Sequence, residues 1–355
     1  MGIRGDCEYT LMAAPPICLP STFLEMYLQV QKEKITLGKP RKKRALVIAG
    51  PTAVGKSDLA LHLAQKIRGE IISADSMQVY KGASIGTSKP TLEEQLSVPH
   101  HLIDTRELSE SFNVVEFYHE AVDALEKVHA RGAIPIVVGG SGFYIHTLLF
   151  GPPSGPTPDP YLRQRLSEEM EELGPKLMYD RLLKADSEYA KRLTEGDKHK
   201  IVRALEIIEL TGKKVSDIPP TPEKPPHEFS FRCWFLNRPR TSLYQRIDRR
   251  CERMVALGLL EEVEALIPRG LKENHLISQA IGYRQAISYL ESERSHADFV
   301  TFMEAFKQAS RRYAKRQLTW FRREPHFHWL DLDLHDPETA LDILMHDYEC
   351  WQWEL

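Results

Sequence analysis

An eight-residue run, Gly50-Pro-Thr-Ala-Val-Gly55-Lys56-Ser57, constrains this chain more than any other feature. It fits G-x-x-x-x-G-K-[ST] at every defined position. Ala45-Leu-Val-Ile-Ala49, a continuous apolar run of the kind a buried parallel strand needs, precedes it. After it, Leu59, Leu63 and Ile67 mark one face of a helix from about Asp58 to Arg68. A glycine-rich turn between such a strand and such a helix points backbone N–H groups at an anion, helped by the helix N-terminus. Gly50, Pro51, Thr52, Ala53, Val54, Gly55, Lys56 and Ser57 are therefore candidate diphosphate-binding residues. Lys56 supplies neutralising charge, and the Ser57 hydroxyl is a candidate Mg²⁺ ligand. Nothing in the run says that the diphosphate belongs to ATP.

Glu70-Ile-Ile-Ser-Ala74 reads as a second strand, and a helix from about Val114 to Ala130 leads into a third, Ala133-Ile-Pro-Ile-Val-Val138. Strand, helix, strand in this order predicts an α/β fold with a parallel sheet flanked by helices, of the P-loop NTPase type. Prolines 152, 153, 156, 158 and 160 then mark a loop, followed by charged, helical sequence. A helix from about Lys198 to Leu210, a loop with prolines 219, 220, 222, 225 and 226, and a strand-like Phe229–Leu236 come next. The expected organisation is a leader over residues 1–44, the first part of the core over 45–154 and a helical insertion domain over 155–200. Completion of the core with basic helices follows over 201–325, and a C-terminal tail over 326–355.

A nucleotide triphosphate hydrolase supplies a second acid at another strand end to hold its metal. The third strand ends in Gly139-Gly140-Ser141-Gly142, without an acid, whereas the second ends in Asp75. Spacing leaves Asp75 open between metal-holding acid and general base. The plain reading of Gly139-Gly140 is a tight turn that needs positive φ. His100-His101 lacks an evident third ligand for a metal site, and Glu261-Glu262 reads as a solvated helix face rather than an acid–base pair.

Net charge is only −3, so a nucleic-acid site has to be a local basic patch. Residues 307–323 provide one: Lys307, Arg311, Arg312, Lys315, Arg316, Arg322 and Arg323 occur there without an acid. Lys307, Arg311 and Lys315 are four apart and form a stripe on one helix face. Tyr313, Trp320 and Phe321 are interleaved with them, and as aromatics fit the core better than an RNA surface. Five cysteines (7, 18, 233, 251 and 350) are scattered without a C-x-x-C pair, which argues against zinc and against a disulfide framework. No apolar run is long enough to span a membrane. The leader ends in Lys39, Arg41, Lys42, Lys43 and Arg44 but contains acids that transit peptides avoid. A cytoplasmic location is expected, with plastid or mitochondrion as the alternative if that segment is a targeting peptide.

One ordered set of segments is more specific than any of these. It comprises Ile72-Ser-Ala-Asp-Ser-Met-Gln-Val-Tyr80, Gly86-Thr-Ser-Lys-Pro90, Val98-Pro-His-His-Leu-Ile-Asp104 and Val138-Gly-Gly-Ser-Gly-Phe-Tyr144. Arg203-Ala-Leu-Glu206, Leu243-Tyr-Gln-Arg-Ile-Asp-Arg-Arg250, Gly258-Leu-Leu-Glu-Glu262 and Gln279-Ala-Ile-Gly-Tyr283 complete it. Together with the phosphate loop these resemble the tRNA dimethylallyltransferases, over roughly residues 45–325. The resemblance implies that the loop holds dimethylallyl diphosphate, and that Asp75 is the base for the N6 amine of an adenine in the tRNA anticodon loop. It implies assistance to the leaving diphosphate from Lys56, Mg²⁺ on Ser57, and Arg246 or Arg250. Ser141 stands where the family usually has threonine and keeps its hydroxyl.

The target adenine has to be unstacked to react. By the same resemblance Asp75, Ser76, Met77 and Gln78 line the nucleotide end of the pocket, and His199, Lys200, Arg203, Gln279 and Tyr283 meet tRNA. The basic residues Lys307, Arg311, Arg312, Lys315 and Arg316 are expected on its backbone. Two other activities share parts of the pattern. An adenylate isopentenyltransferase making cytokinin from AMP, ADP or ATP runs the same chemistry, but that class lacks the insertion and basic helix. A small-molecule kinase or NTPase shares only the phosphate loop. The chain resembles the shorter form of the family, without a C-terminal Cys/His finger; a monomer without membrane association is expected.

Overall fold

The computed structural model describes residues 42–219, 221 and 227–353. Most of the leader, Cys7, Cys18 and prolines 220, 222, 225 and 226 lie outside the described residues. Apolar strands alternate with helices as the sequence periodicity requires: β1 (Lys43–Ala49), α1 (Lys56–Ile67), β2 (Gly69–Ala74), α2 (Leu92–Ser97), β3 (His100–His101), α3 (Val114–Ala130), β4 (Ile134–Gly139) and α4 (Gly142–Phe150). The insertion follows as α5 (Pro160–Ala185), α6 (Ser187–Ala190) and α7 (Lys198–Thr211). Then come β5 (Phe229–Asn237), α8 (Arg240–Ala256), α9 (Leu259–Leu266), α10 (His275–Ser278), α11 (Tyr283–Leu290), α12 (His296–Phe321), β6 (Phe327–Asp331) and α13 (Pro337–Trp353).

The six strands form one parallel sheet in the order β3-β2-β4-β1-β5-β6. Central β1 is buried over its last five residues, and β2 over its whole length. That is the condition under which a parallel sheet reads as continuous apolar sequence. The phosphate loop leaves the end of β1, flanked by the ends of β4 and β5, so three strand termini converge there.

Two boundaries differ from the sequence expectation. The insertion has its own apolar core of Leu166, Met170, Met178, Leu182, Ile201, Val202 and Leu205, among others. Ile201, Val202, Ala204 and Leu205 of that core come from α7, so the helical unit continues past residue 200, and periodicity alone did not show which core α7 faces. Within it α5 breaks at Gly174, whose φ of 82° precedes Pro175 and lets the helix change direction. Residues 326–355 are not an appendage either. β6 pairs with β5 along Cys233–Asn237, and α13 packs on α1. Leu344, Tyr348 and Trp351 belong to the main core.

His100 and His101 are the short edge strand β3. His101 Nε2 lies 2.7 Å from Glu70 Oε2, which also accepts from Arg131 Nη2 at 2.6 Å. The pair thus closes a sheet-edge ion cluster, and among the described residues no group of His, Cys, Asp or Glu could hold a metal. Among the described residues no helix is long and apolar enough to cross a membrane.

The integration of the C-terminal segment sets a stability test. Leu344 is 2% exposed and Leu334 79% exposed. Leu344→Ala should destabilise the protein by about 2–5 kcal/mol in urea titrations, and Leu334→Ala by no more than about 0.5 kcal/mol. Equal effects would mean that α13 is not part of the cooperative core.

Candidate active site

A loop whose N–H groups turn inward to an anion turns its carbonyls outward, where each needs a donor. In this protein cations from three directions supply them. Lys56 Nζ donates to Pro51 O at 2.9 Å, Arg246 Nε to Ala53 O at 2.9 Å, and Arg238 Nε to Val54 O at 3.0 Å. Arg238 is itself fixed by Leu332 O at 2.9 Å and by the Asp333 carboxylate, both just beyond β6. Ala53 and Gly55 carry the positive φ values that curl the loop, 64° and 111°. At Gly50 a Cβ would lie 2.8 Å from Leu236 O, so the strand-end approach excludes a side chain.

The second turn, Gly139-Gly140-Ser141, needs its glycines for closeness and not for positive φ. Neither glycine is in the left-handed region. A Cβ on Gly139 would sit 2.3 Å from Ala74 O, and one on Gly140 2.2 Å from Gln317 Nε2. That glutamine, buried on α12, donates to Gly140 O at 2.9 Å and accepts from Thr52 N at 2.9 Å. It joins the two turns, and Thr52 N–H is committed to it.

Lys56 is half-buried at the start of α1. Burial, then the positive charge of Arg250, pull its ammonium down to about 7, against an opposing pull from Asp75. Arg250 reaches Thr52 Oγ1 with Nη1 and Ser88 Oγ with Nη2 at 2.9 Å, so it ties the phosphate loop to the 84–90 segment. Both arginines singled out from the sequence therefore face the loop, Arg246 from its outer, carbonyl side and Arg250 across Thr52.

Asp75 follows β2 directly. Its Oδ1 accepts from Met77 N at 2.9 Å, a local turn that fixes the carboxylate. Ala74 pairs with Gly139 and Gly139 with Ala49, so Asp75 leaves β2 at the same sheet end as the phosphate loop, and its charge opposes the lowering of Lys56. Tyr313 of α12 is half-buried near Ser141, and burial pushes its hydroxyl up to about 12. Ser141 caps no backbone group of α4, so its hydroxyl faces this neighbourhood. Ser57 is exposed in the first turn of α1, directly after Lys56.

Several residues singled out from the sequence have internal partners instead. The Gln78 amide is occupied: Oε1 accepts from Ser73 Oγ at 2.7 Å, and Nε2 donates to Thr87 O and Ser88 O. Tyr283 is fully buried and donates to Glu262 Oε1 at 2.6 Å, so its side chain has no surface for tRNA. Glu262 in turn accepts from the backbone N–H groups of Ser84, Ile85 and Gly86, which corrects its reading as a solvated face. Arg203 is bonded to Glu206 and Pro156 O, and Glu206, wholly buried, also takes Arg163. Two acids, buried Glu206 and half-buried Glu262, thus organise segments that charge patterning assigned to solvent or RNA.

The basic stripe is divided in the same way. Lys307 pairs with Glu252 at 2.5 Å and Arg311 with Asp248 at 2.6 Å, both acids on α8. Among the described residues no acid pairs with Arg312, Lys315 or Arg316, all exposed. Phe321 is core as expected, whereas Trp320 is 39% exposed, set against Gly142 and edge-on to Phe143 at 6.2 Å. Gln279, His199 and Lys200 are exposed, and Lys200 is paired with Asp197. Ser76 and Met77 are half-buried beside Asp75.

Comparison with known proteins agrees with this geometry. The IPP transferase family model matches residues 78–324. A tRNA dimethylallyltransferase of Protochlamydia amoebophila is 54% identical over 92% of this chain and 95% of its own length. One from Chlamydia pneumoniae is 46% identical over 79% of this chain and 83% of its own. Among solved structures, the tRNA isopentenylpyrophosphate transferase of Bacillus halodurans aligns with a TM-score of 0.63 at 36% identity, covering 87% of this chain and 96% of that one. A eukaryotic dimethylallyltransferase acting on tRNA aligns at 0.68 and 30% identity, covering 84% and 78%. A phosphate loop clamped between three strand ends, an acid at the neighbouring strand end, and identity of this extent place the chain in the IPP transferase family, that of the tRNA dimethylallyltransferases.

Proposed function

We propose that this enzyme transfers a dimethylallyl group from dimethylallyl diphosphate to N6 of an adenosine beside the anticodon in tRNA, releasing diphosphate. The observation that carries the reading is the meeting of Asp75 with a phosphate loop ringed by Lys56, Arg246 and Arg250. The names of the relatives, tRNA dimethylallyltransferases, favour tRNA over a free adenine nucleotide as acceptor. The exposed charges of Arg312, Lys315 and Arg316 give an RNA backbone something to bind, with the salt dependence such contacts bring.

In this reading the donor diphosphate lies against the loop N–H groups and the Lys56 ammonium. The adenine N6 attacks the allylic carbon, a C–N bond forms, the C–O bond to diphosphate breaks, and Asp75 takes the N6 proton. An aromatic amine is a weak nucleophile, so removal of its proton and stabilisation of the leaving group are both required. The Ser141 hydroxyl, at the turn between β4 and α4, orients the amine or the departing oxygen. A Mg²⁺ ion would fit the hard oxygen donor Ser57, because Mg²⁺ takes few protein ligands and completes its shell with phosphate and water. When bound, it neutralises charge on the leaving diphosphate.

Two outcomes test these roles. With labelled dimethylallyl diphosphate and unmodified tRNA, Asp75→Asn should lower kcat by about 10²- to 10⁴-fold. Inorganic diphosphate affinity in Mg²⁺ should stay near that of the parent. A loss of Mg²⁺-dependent diphosphate binding with little change in kcat would make Asp75 a metal-holding acid instead. The second concerns protons. Lys56, at about 7 in the unliganded site, is largely neutral above that pH, and a bound anion favours its charged form. Diphosphate binding should therefore take up a proton above pH 7 and weaken as pH rises through that window. Calorimetry at about pH 8 in buffers of different ionisation enthalpy should show uptake on the order of one proton beyond that of Lys56→Met. Identical uptake in the variant would refute the assignment.

A further inference from the structure

Glu262 of α9 is turned onto the distant 84–86 turn. Its two carboxylate oxygens divide four donors between them. Oε2 accepts from Ser84 N at 2.8 Å and Ile85 N at 2.6 Å; Oε1 accepts from Gly86 N at 3.0 Å and Tyr283 Oη at 2.6 Å. Three successive backbone N–H groups converging on one carboxylate form an anion nest that is filled by the protein itself. Tyr283 is fully buried, and Gly86 lies so close to its ring that a Cβ would come within 2.5 Å of it. Burial and the Glu262 charge both hold the Tyr283 proton in place, so that hydroxyl stays a donor.

What this anchored loop delivers is Ser88. Ser88 N donates to Ile85 O at 3.0 Å, and Ser88 itself has a φ of 49°, so its placement depends on the turn Glu262 holds. Gln78 steadies the same stretch through Thr87 O and Ser88 O. Ser88 Oγ then accepts two bonds from Arg250, 3.2 Å from Nε and 2.9 Å from Nη2, while Arg250 Nη1 reaches Thr52 of the phosphate loop. The guanidinium is held between Ser88 and the loop at the place where its charge bears on the diphosphate.

We propose that Glu262 is a positioning residue for diphosphate binding, acting through the 84–88 turn and Ser88 to set the Arg250 guanidinium against the phosphate loop. The proposal rests on the reading of that loop as the diphosphate site. Glutamine is the informative replacement, since it keeps size but offers one acceptor oxygen and points an N–H₂ at donors on the other side. Ser88 is exposed, so its replacement by alanine leaves the core intact.

The test is a double-mutant cycle on the full-length protein, with inorganic diphosphate and Mg²⁺ titrated calorimetrically. KM and kcat for dimethylallyl diphosphate with tRNA are measured alongside. Glu262→Gln and Ser88→Ala should each weaken diphosphate about five- to tenfold, raising KM for the donor more than they lower kcat. The double variant should be no weaker than about tenfold, because both changes release the same arginine. Multiplying effects, or a Glu262→Gln protein that binds as the parent does, would overturn the proposal. If Glu262→Gln does not fold, Tyr283→Phe removes one of the four bonds; it should raise donor KM about twofold, and that rise should vanish in a Ser88→Ala background. An unchanged KM would count against the proposal. Failure of the parent to bind diphosphate would sink the reading of the loop itself, a separate result.

Discussion

Everything at the site depends on how the phosphate loop disposes of its carbonyl oxygens. Curling a short backbone so that N–H groups converge forces the carbonyls out, and unpaired they would cost on the order of 1–3 kcal/mol each. Pro51, Ala53 and Val54 are met by Lys56, Arg246 and Arg238, residues separated by up to almost two hundred positions. Charged donors make stronger bonds than neutral ones. The same three cations also leave the loop embedded in positive potential. One set of side chains thereby both fixes the curl and prepares the site for an anion.

That arrangement explains why the C-terminal segment belongs to the fold. Arg238 is oriented by Leu332 O and Asp333, and both are placed there by β6 pairing with β5. Gln317 brings α12 into the same structure by joining Thr52 to Gly140. The loop is thus supported from β1, β4, β5 and β6 and from α8 and α12. Rigid elements on every side suit a site that must hold charge in fixed geometry.

Much of this was legible in the sequence, and the remainder failed for identifiable reasons. The strand–loop–helix unit and the parallel sheet followed from local pattern, whereas Asp75, Lys56 and the pair Arg246 and Arg250 were singled out by resemblance, without a choice between the two arginines. Gln317 was missed although it carries a signal: it lies in the apolar stripe Phe302, Phe306, Ser310, Ala314, Gln317, Phe321, where a polar amide has to find partners. Glu262 and Glu206 were missed because an acid on a helix looks alike whether water or a backbone turn faces it. Only tertiary structure shows which donors arrive. Lys307 and Arg311 were over-read for the same reason, since the acids that pair them, Glu252 and Asp248, lie some sixty residues away. β3 has two residues, too few for any periodicity to register.

The charges gathered around the phosphate loop act on one another. Lys56, Arg246, Arg250 and Arg238 are drawn to one turn, and like charges gathered away from water repel. The repulsion is visible in Lys56, lowered by burial and Arg250, and in Arg246, lowered by burial and Arg238. Of these groups only the lysine can shed its charge near neutral pH, because the guanidinium is protonated throughout the accessible range. The lysine is therefore the group that adjusts: neutral, it relieves the cluster, and charged, it answers a diphosphate. An arginine at position 56 would keep its charge whether or not an anion were present, with no means of relieving that repulsion. In the proposed reaction the phosphate-loop lysine is thus both a ligand for the donor and the one member of the cationic ring whose charge follows the occupancy of the site.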